Sequence, residues 1–237
     1  MRINKYLADC GQGSRRACEK LILDGQVLVN GKIETNLATD IKLNDVVQCL
    51  GNIVAPSGDF LYYKLHKPKG VICSASDEKG RKTIFDLVNC ERRLFSIGRL
   101  DYDTEGLILL TNDGQLAQKL SHPSHEIEKE YMVCVRGNML ESELAVLRAG
   151  VVENGIRMPS AKVVLIKTEN NISRVSVKIS QGLNRQVRRM FEAIGREILL
   201  LKRVAVGNVC LGGLQRGKCK QLSQTELAEL FKLCENK

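Results

Sequence analysis

The chain has 237 residues, of which 43% are hydrophobic and 27% are charged. A chain of this length forms one or two domains and buries a core without disulfide or metal staples, and its composition excludes the collagen-like, coiled-coil and disordered classes. Lys and Arg total 36 against 27 Asp and Glu, which gives a net charge of +9. Such a charge favours a polyanionic partner, nucleic acid before an anionic membrane surface.

Cysteine and histidine usage predicts a reduced, metal-free protein. The nine cysteines are scattered and include no Cys-x-x-Cys pair, which is typical of free thiols in a cytosolic protein. The three histidines are not grouped with other ligands at zinc-site spacing, so we expect no metal. The N-terminus lacks the apolar core of a signal peptide, and the apolar runs are too short to span a bilayer. We therefore expect a cytoplasmic protein that does not associate with membranes.

Residues 1–58 are predicted to form a small domain of two helices and a hairpin. Ser14 stands where it can cap a helix that runs to about Leu23. An Asn-Gly pair at 30–31 separates two short apolar runs, which is a strong signal for a hairpin. Polar and turn-forming residues at 52–59, with a Pro-Ser-Gly sequence among them, indicate a linker after this domain.

Residues 59–237 are predicted to form one larger domain. Its strand-like stretches outnumber its helical ones, and short turns join many of them. This pattern favours an α+β fold built on a mixed, mostly antiparallel β-sheet with flanking helices. The predicted strands are 60–65, 106–111, 131–135, 162–166 and 174–179. The predicted helices are 115–120, 142–148, 184–194 and 225–234.

Basic residues cluster in the two predicted N-terminal helices, where they can meet phosphates or can simply form a solvated surface. The segments RINKYLADCG, GSRRACEKLILDGQVLVNG and DVVQ occur in this order. Together they resemble the S-four-type RNA-binding domain, which is named after a ribosomal protein. The resemblance implies that the small domain binds RNA. The implied RNA-binding residues are Arg2, Lys5, Ser14, Arg15 and Arg16.

Three acids, Asp101, Asp103 and Glu105, stand just before a predicted apolar strand. Their spacing fits the start of a calcium-binding loop, but Asn112 occupies the twelfth position, where a bidentate Glu is needed, so we reject calcium. A second interpretation is that the acids only shape a turn. A third is that Asp101 is a nucleophile, which requires that it be ionised, poorly solvated and held near a cation.

A basic segment at 174–203 carries eight Lys or Arg residues against two Glu. Within its predicted helix Arg188 lies at the edge of the apolar stripe, so it can reach inward toward Asp101 while Arg185 and Arg189 face RNA. A unit-charge pair at 4 Å is worth roughly 4 kcal/mol at an intermediate dielectric, enough to keep a buried Asp ionised. An ordinary basic helix face is the alternative, and spacing alone does not bring Asp101 and Arg188 together.

Four further segments occur in order: LHKPKGVICS, SIGRLDYDTEGLILLTNDG, HPSHEIEKEYMVCVRG and ISQGLNRQVRRMFEAIG. They resemble the RsuA/RluB-type ribosomal RNA pseudouridine synthases, and with the N-terminal domain the resemblance covers almost the whole chain. It implies a catalytic domain at 59–237 that isomerises a uridine of ribosomal RNA to pseudouridine. It implies no cofactor and no metal. Two segments, GSRRACEK and DTEGLILLTNDG, are closer to the large-subunit enzymes, which favours 23S over 16S RNA.

The resemblance also assigns roles to single residues. Asp101 corresponds to the catalytic nucleophile, and Arg99 to the arginine that flips the target base out of its stack. Tyr131 corresponds to the ring that packs on that base, and Arg188 to the ion-pair partner of the nucleophile. One departure is Gln-Gly-Leu at 181–183, where the family has Glu-Gly-Arg or Glu-Gly-Lys.

One alternative function stays open at this point: a non-catalytic RNA-binding or ribosome-assembly factor on the same scaffold. Asp101 separates the two hypotheses, because a protein that only binds RNA has no need of a buried acid beside phosphates. On either hypothesis the expected partner is ribosomal RNA or a ribosome-assembly intermediate. We expect the protein to be a monomer.

Overall fold

A computed structural model of the chain describes residues 1–56, 58–75, 77–153 and 155–235, without the side chain of residue 235. The chain divides into two compact units. One comprises Met1–Phe60 with Cys90–Arg93, and the other Leu61–Asn89 with Leu94–Lys237. Ser57, in the predicted linker, lies outside the described residues.

The first unit packs two helices on a small antiparallel sheet. Ser14 caps the second helix by accepting a hydrogen bond from the amide of Ala17 at 3.0 Å. Ile3 and Leu7 project from one face of the first helix into the core, as their spacing of four predicts. The predicted hairpin is also confirmed. The elements are α1 (Ile3–Asp9), α2 (Arg15–Leu23), β1 (Val27–Val29), β2 (Lys32–Ile33), β3 (Val47–Cys49) and β4 (Asn52–Ile53), with strand order β2-β1-β3-β4.

The second unit is built on one large sheet. Its strands are β5 (Tyr62–Lys67), β6 (Phe95–Ile97), β7 (Glu105–Thr111), β8 (Lys129–Arg136), β9 (Val152–Glu153), β10 (Ile156–Arg157), β11 (Lys162–Glu169), β12 (Ile172–Ile179), β13 (Ile198–Val206), β14 (Val209–Cys210) and β15 (Cys219–Gln221). Its helices are α3 (Gly114–Ser121), α4 (Glu141–Ala149), α5 (Gln186–Ala193) and α6 (Gln224–Glu235). Two short 3₁₀ turns are Phe85–Leu87 and Pro123–His125.

Nearly every strand pairing in this sheet is antiparallel. The main order is β11-β12-β8-β13-β7-β5-β15, with β14 beside β13 and β6 beside β7, while β9 and β10 form a separate hairpin. Among the described strands only β13 and β7 run parallel. The predicted mixed, mostly antiparallel sheet is therefore correct. Among the described helices, none combines the length and the apolar character that crossing a bilayer requires.

Two hydrophobic clusters hold the helices to the sheet. Alternate residues of β12, including Val175 and Val177, pack with α4 and α5. A second cluster joins Leu107 and Leu109 of β7 to α3 and α6, where Leu230 is fully buried. Each helix therefore buries an apolar stripe, as its sequence periodicity predicts.

The central strand β13 is the longest strand that the sequence does not predict; the short strands β6, β9, β10, β14 and β15 are not predicted either. The sequence at Ile198–Leu201 is a continuous apolar run, which has no strand alternation to recognise. In the structure this run opens a nine-residue strand that pairs with β8 on one side and β7 on the other. The strand thereby connects the two halves of the sheet.

Close backbone packing at Gly106 permits the parallel pairing of β7 with β13. Gly106 has φ of +117°, and a Cβ atom there would lie 2.5 Å from the backbone nitrogen of Arg203 and would also overlap its carbonyl. Only glycine fits such a position without displacing the neighbouring strand.

We expect Gly106→Ala to destabilise the second unit by about 1–3 kcal/mol, because the added methyl group has to push β13 away. Urea unfolding monitored by circular dichroism measures this loss. Gly213→Ala is the matched control, since an added Cβ meets no atom within 4 Å there. Equal stability of the two variants would contradict the close packing of β7 on β13.

Candidate active site

A cleft of about 320 Å³ opens in the second unit beside the loop that joins β6 to β7. Four residues that the sequence analysis singled out line it: Arg99, Asp101, Tyr131 and Arg185. Arg188 and Arg189 lie on the same helix as the cleft-lining Gln186 but do not line the cleft themselves. The remaining predicted site residues belong to the first unit. They are Arg2, Lys5, Ser14, Arg15 and Arg16.

The ammonium group of Lys67 holds the loop that carries Asp101 by hydrogen bonds to its backbone. Lys67 is the last residue of β5 and is completely buried. Its Nζ donates three hydrogen bonds to backbone carbonyls: to Thr104 at 2.8 Å, Asp101 at 3.0 Å and Pro68 at 3.1 Å. Burial lowers the pKa of Lys67, and the three acceptors replace the water that the cation loses.

Further backbone bonds close the same loop. The amide of Thr104 donates to the carbonyl of Asp101 at 3.1 Å, and the amide of Gly70 donates to the carbonyl of Tyr102 at 2.9 Å. The amide of Leu100 donates to the Sγ of Cys73 at 3.3 Å, and burial raises the pKa of that thiol. These contacts fix the backbone on both sides of Asp101, so its half-buried side chain leaves from a defined position at the cleft wall.

A cluster of charges ties this loop to α5. Nε of Arg188 lies 3.2 Å from Oδ2 of Asp103, and Nη2 of Arg188 donates to the carbonyl of Asp103 at 3.0 Å. Arg185 adds a second pair with the same carboxylate at 3.2 Å. Burial raises the pKa of Asp103, but the hydrogen bond from Arg185 and the charges of both arginines outweigh it, so the net pKa is lowered.

This arrangement corrects the expected pairing of Asp101 with Arg188. The inward reach of Arg188 is as predicted, since only 11% of its side chain is exposed. Its charge, however, meets Asp103, because the carboxylate and the carbonyl of that residue both lie against α5. Among the described residues, the Asp101 carboxylate has neither an ion pair nor a hydrogen bond, so it stays available to a substrate in the cleft.

Arg189 also differs from its predicted orientation toward RNA. It forms an ion pair with Glu153 of β9, and each side chain is about four-fifths buried. The side chains of consecutive residues point about 100° apart around a helix. Arg189 therefore points to a different side of α5 from Arg188, the side on which the β9–β10 hairpin lies. Arg185, which precedes the helix with a left-handed backbone at φ 50°, remains at the cleft.

Tyr131 supplies an aromatic wall. It lies on β8 directly opposite Arg203 of β13 and Val177 of β12. Its half-buried ring packs against the hydrophobic cluster under α5 and also lines the cleft. Gly182 and Leu183, from the segment that departs from the family pattern, contribute a neutral section to the wall.

Two residues at this site receive no role from the sequence: Lys67 and Arg203. Arg203 is only 4% exposed, donates from Nε to the carbonyl of Leu107 at 2.7 Å, and lines the cleft. In the sequence it is one of eight cations in a basic segment. Lys67 stands in the segment LHKPKGVICS, which carries the family resemblance but assigns no role to this lysine. Their burial follows from strand pairing, which local spacing does not reveal.

The three acids of the loop take separate partners. Asp103 binds the two arginines near α5, whereas Glu105, which is 2% exposed, pairs with Arg216 at 3.0 Å. In the part of the chain that the structure describes, no three carboxylate, thiol or imidazole groups are arranged to hold a metal ion. The arrangement instead presents one ionisable acid, cations and an aromatic ring around a cleft, which suits covalent chemistry on a nucleotide.

In the first unit, the cations at the start of α2 are accessible. Arg15 and Arg16 are exposed and have no ion pair among the described residues, and they lie at a helix N-terminus, which favours bound anions. Lys5 is half-buried, while Arg2 is exposed and donates to the carbonyl of Ala38. This surface suits contact with phosphates.

Two different families match the N-terminal part of the chain and the part that follows it. Residues 62–193 match the family described as RNA pseudouridylate synthase, and residues 1–47 match the S4 domain. The chain is 41% identical over 238 aligned positions to ribosomal large subunit pseudouridine synthase B of Bacillus subtilis (strain 168), covering 99% of this chain and 97% of that protein. It is 39% identical to the dual-specificity RNA pseudouridine synthase RluF of Escherichia coli (strain K12), covering 100% and 80%. A crystal structure of a pseudouridylate synthase superposes with a TM-score of 0.71 at 31% identity, covering 97% and 99%.

The chain therefore belongs to the RNA pseudouridylate synthase family and carries an S4 domain at its N-terminus. It is an RNA pseudouridine synthase, an isomerase that converts uridine in RNA to pseudouridine. The predicted family, fold class and enzyme class are confirmed. The relatives named here are enzymes, so they give no support to a non-catalytic RNA-binding factor.

We expect Lys67→Met to lower the stability of the second unit by about 1–3 kcal/mol, because three buried carbonyls lose their donor. The isomerisation rate should fall further than stability alone explains, since the loop that carries Asp101 loosens. Thermal unfolding and a single-turnover assay measure the two effects. Lys69→Met, at an exposed position two residues away, is the control. A Lys67→Met protein with wild-type stability and rate would contradict the role of this cation.

Proposed function

We propose that this enzyme isomerises a specific uridine of ribosomal RNA. The preferred substrate is 23S RNA, and 16S RNA is the second candidate. The observation that carries the proposal is the full-length similarity to an enzyme whose name places it on the large ribosomal subunit. The net charge of +9 and the exposed cations of α2 support a large RNA substrate.

We propose Asp101 as the nucleophile. Its carboxylate lines the cleft, is held by a rigid loop and has no competing partner among the described residues. In the reaction, the carboxylate forms a bond either to the sugar or to the uracil ring. The glycosidic bond between C1′ and N1 breaks, in the same step if the carboxylate attacks C1′. The base then rotates, a bond forms between C1′ and C5, and the carboxylate is released. The proton on C5 leaves and N1 gains one, so that the reaction is an isomerisation without net oxidation.

Other residues of the cleft have supporting roles in this proposal. Extrusion of the target base costs a few kcal/mol, and Arg99, a cation at the cleft wall, is placed to fill the gap or hold the RNA backbone. The ring of Tyr131 packs on the extruded base and can take part in the final proton transfer. Arg188 acts as a positioning residue, because it holds Asp103 and thereby the loop that carries Asp101.

The first unit is proposed to anchor the RNA. The proposed contacts are Arg2, Lys5, Ser14, Arg15 and Arg16, and in the second unit Arg185. We place the functional boundary between residues 58 and 59, so that 1–58 bind RNA and 59–237 catalyse. Because the relatives from Bacillus subtilis and Escherichia coli are bacterial, we propose that the enzyme acts in the cytoplasm on ribosomal RNA or on an assembly intermediate.

We expect Asp101→Asn to abolish pseudouridine formation while RNA affinity stays near wild type, because the amide keeps the shape but cannot act as a nucleophile. Ribosomal RNA from cells that lack the protein, complemented with wild type or variant, is mapped for pseudouridine. Asp59→Asn is the matched control, since its carboxylate is exposed and does not line the cleft. Full restoration by Asp101→Asn would eliminate the assignment, and unchanged ribosomal RNA in the knockout would eliminate the proposed substrate.

We expect the double variant Arg15→Ala, Arg16→Ala to weaken RNA binding, because two phosphate contacts are lost. The slope of log K against the logarithm of the salt concentration should become shallower by about 2. Fluorescence anisotropy with a 23S RNA fragment at several salt concentrations measures this slope. The variant Arg136→Ala, Lys167→Ala removes two exposed cations that are already paired with acids and serves as the comparison. Identical slopes for both variants would argue against the first unit as the RNA anchor.

A further inference from the structure

The cleft contains a buried cation that the roles above do not use. Arg203 lies on the central strand β13, is 4% exposed and lines the same cleft as Asp101. Its Nε donates to the carbonyl of Leu107 at 2.7 Å, which fixes the plane of the guanidinium. Its Nη2 is buried and has no hydrogen-bond partner among the described residues.

A structural role explains only part of this arrangement. The bond to Leu107 accounts for Nε, but a buried positive charge with an unused donor is costly unless an anion or acceptor meets it. Neither Asp101 nor Glu105 forms an ion pair with Arg203 in the described part of the chain, and Glu105 is already bound to Arg216. Arg203 lines the cleft, and burial and strand pairing hold its guanidinium in place, so a donor with no partner among the residues that the structure describes is fixed beside the cleft.

We propose that Arg203 is a catalytic residue whose Nη2 hydrogen-bonds a ring oxygen of the extruded uracil and stabilises the negative charge that the ring acquires. This inference rests on the proposed role of Asp101. The position of Tyr131 supports it, because Tyr131 is the direct cross-strand neighbour of Arg203. A base that packs on that ring therefore presents its edge near the guanidinium.

Arg203 can have this role whether Asp101 attacks the sugar or the uracil ring, because negative charge moves onto uracil in both cases. If Asp101 bonds to C1′, the electron pair of the C1′–N1 bond stays on uracil and spreads over N1, O2 and O4. If Asp101 adds to the ring, the pair of the C5–C6 double bond moves toward O4. On both routes the pair returns to bonding when C1′ joins C5 and the carboxylate is released. Arg203 keeps its proton throughout, because a guanidinium does not act as an acid in proteins, so it serves as a fixed positive charge.

The test compares Arg203→Lys and Arg203→Gln in single-turnover assays on 23S RNA transcribed with uridine tritiated at C5, whose release reports the reaction. Loss of a preorganised donor to a developing anion typically costs about 100-fold to 1,000-fold in rate, and we expect this for Arg203→Gln. RNA affinity should stay within about threefold of wild type, because the contact strengthens in the transition state. Lys202→Gln is the control, since the side chain of the preceding strand residue leaves from the opposite face.

A second measurement separates contact with the base from a structural effect. Transcripts made with 4-thiouridine or 2-thiouridine weaken hydrogen bonding at one ring oxygen, and mass spectrometry of the nucleosides follows their isomerisation. Wild type should lose rate with at least one thio substrate, and Arg203→Gln should show no additional loss with it. Equal wild-type rates on all three transcripts would overturn the proposal, even if the variants do not fold, and so would a folded Arg203→Gln protein with a wild-type rate. Wild-type activity on 16S instead of 23S RNA would correct the substrate, and the same comparison would then be made on that RNA.

Discussion

The buried ammonium of Lys67 is the contact on which the active site depends. It stands at the end of β5 and binds the carbonyls of Pro68, Asp101 and Thr104, so a strand of the sheet and the catalytic loop share one cation. A lysine without such acceptors is very costly to bury, and a loop without such a donor would leave carbonyls unsatisfied. Each feature therefore requires the other, and together they place the Asp101 side chain at the cleft wall.

Charge is distributed around this loop so that Asp101 remains available. Asp103 takes Arg185 and Arg188, and Glu105 takes Arg216. The two neighbouring acids thus neutralise the cations that could otherwise close on Asp101, and they fasten the loop to α5 and to the segment after β14. Among the residues that the structure describes, the cleft holds the Asp101 carboxylate without an ion pair, the planar cation Arg203 and the ring of Tyr131, a set that suits the proposed binding of a flipped nucleobase.

Local sequence signals predict much of the fold. The Ser14 cap, the Asn-Gly hairpin and the apolar stripe of α5 correspond to observed elements because each depends on neighbours within one turn or one hairpin. The family motifs single out Asp101, Arg99 and Tyr131, and all three residues line one cleft in the structure. Strand β13, the burial of Lys67 and Arg203, and the pairing of Arg188 with Asp103 are not predicted, because they depend on which distant strands become neighbours. A difference of one residue along α5 likewise decides that Arg189 meets Glu153.

A crystal structure of the full chain bound to the RNA segment that contains its modified uridine would show whether the Asp101 carboxylate meets the target nucleotide. We expect the target nucleotide to lie in the cleft, with its C1′ or its uracil ring in contact with the Asp101 carboxylate and the ring packed against Tyr131. The loop at 98–104 should keep its bonds to Lys67. A target nucleotide bound outside the cleft, or an Asp101 side chain withdrawn into an ion pair with a protein cation, would rule out Asp101 as the nucleophile.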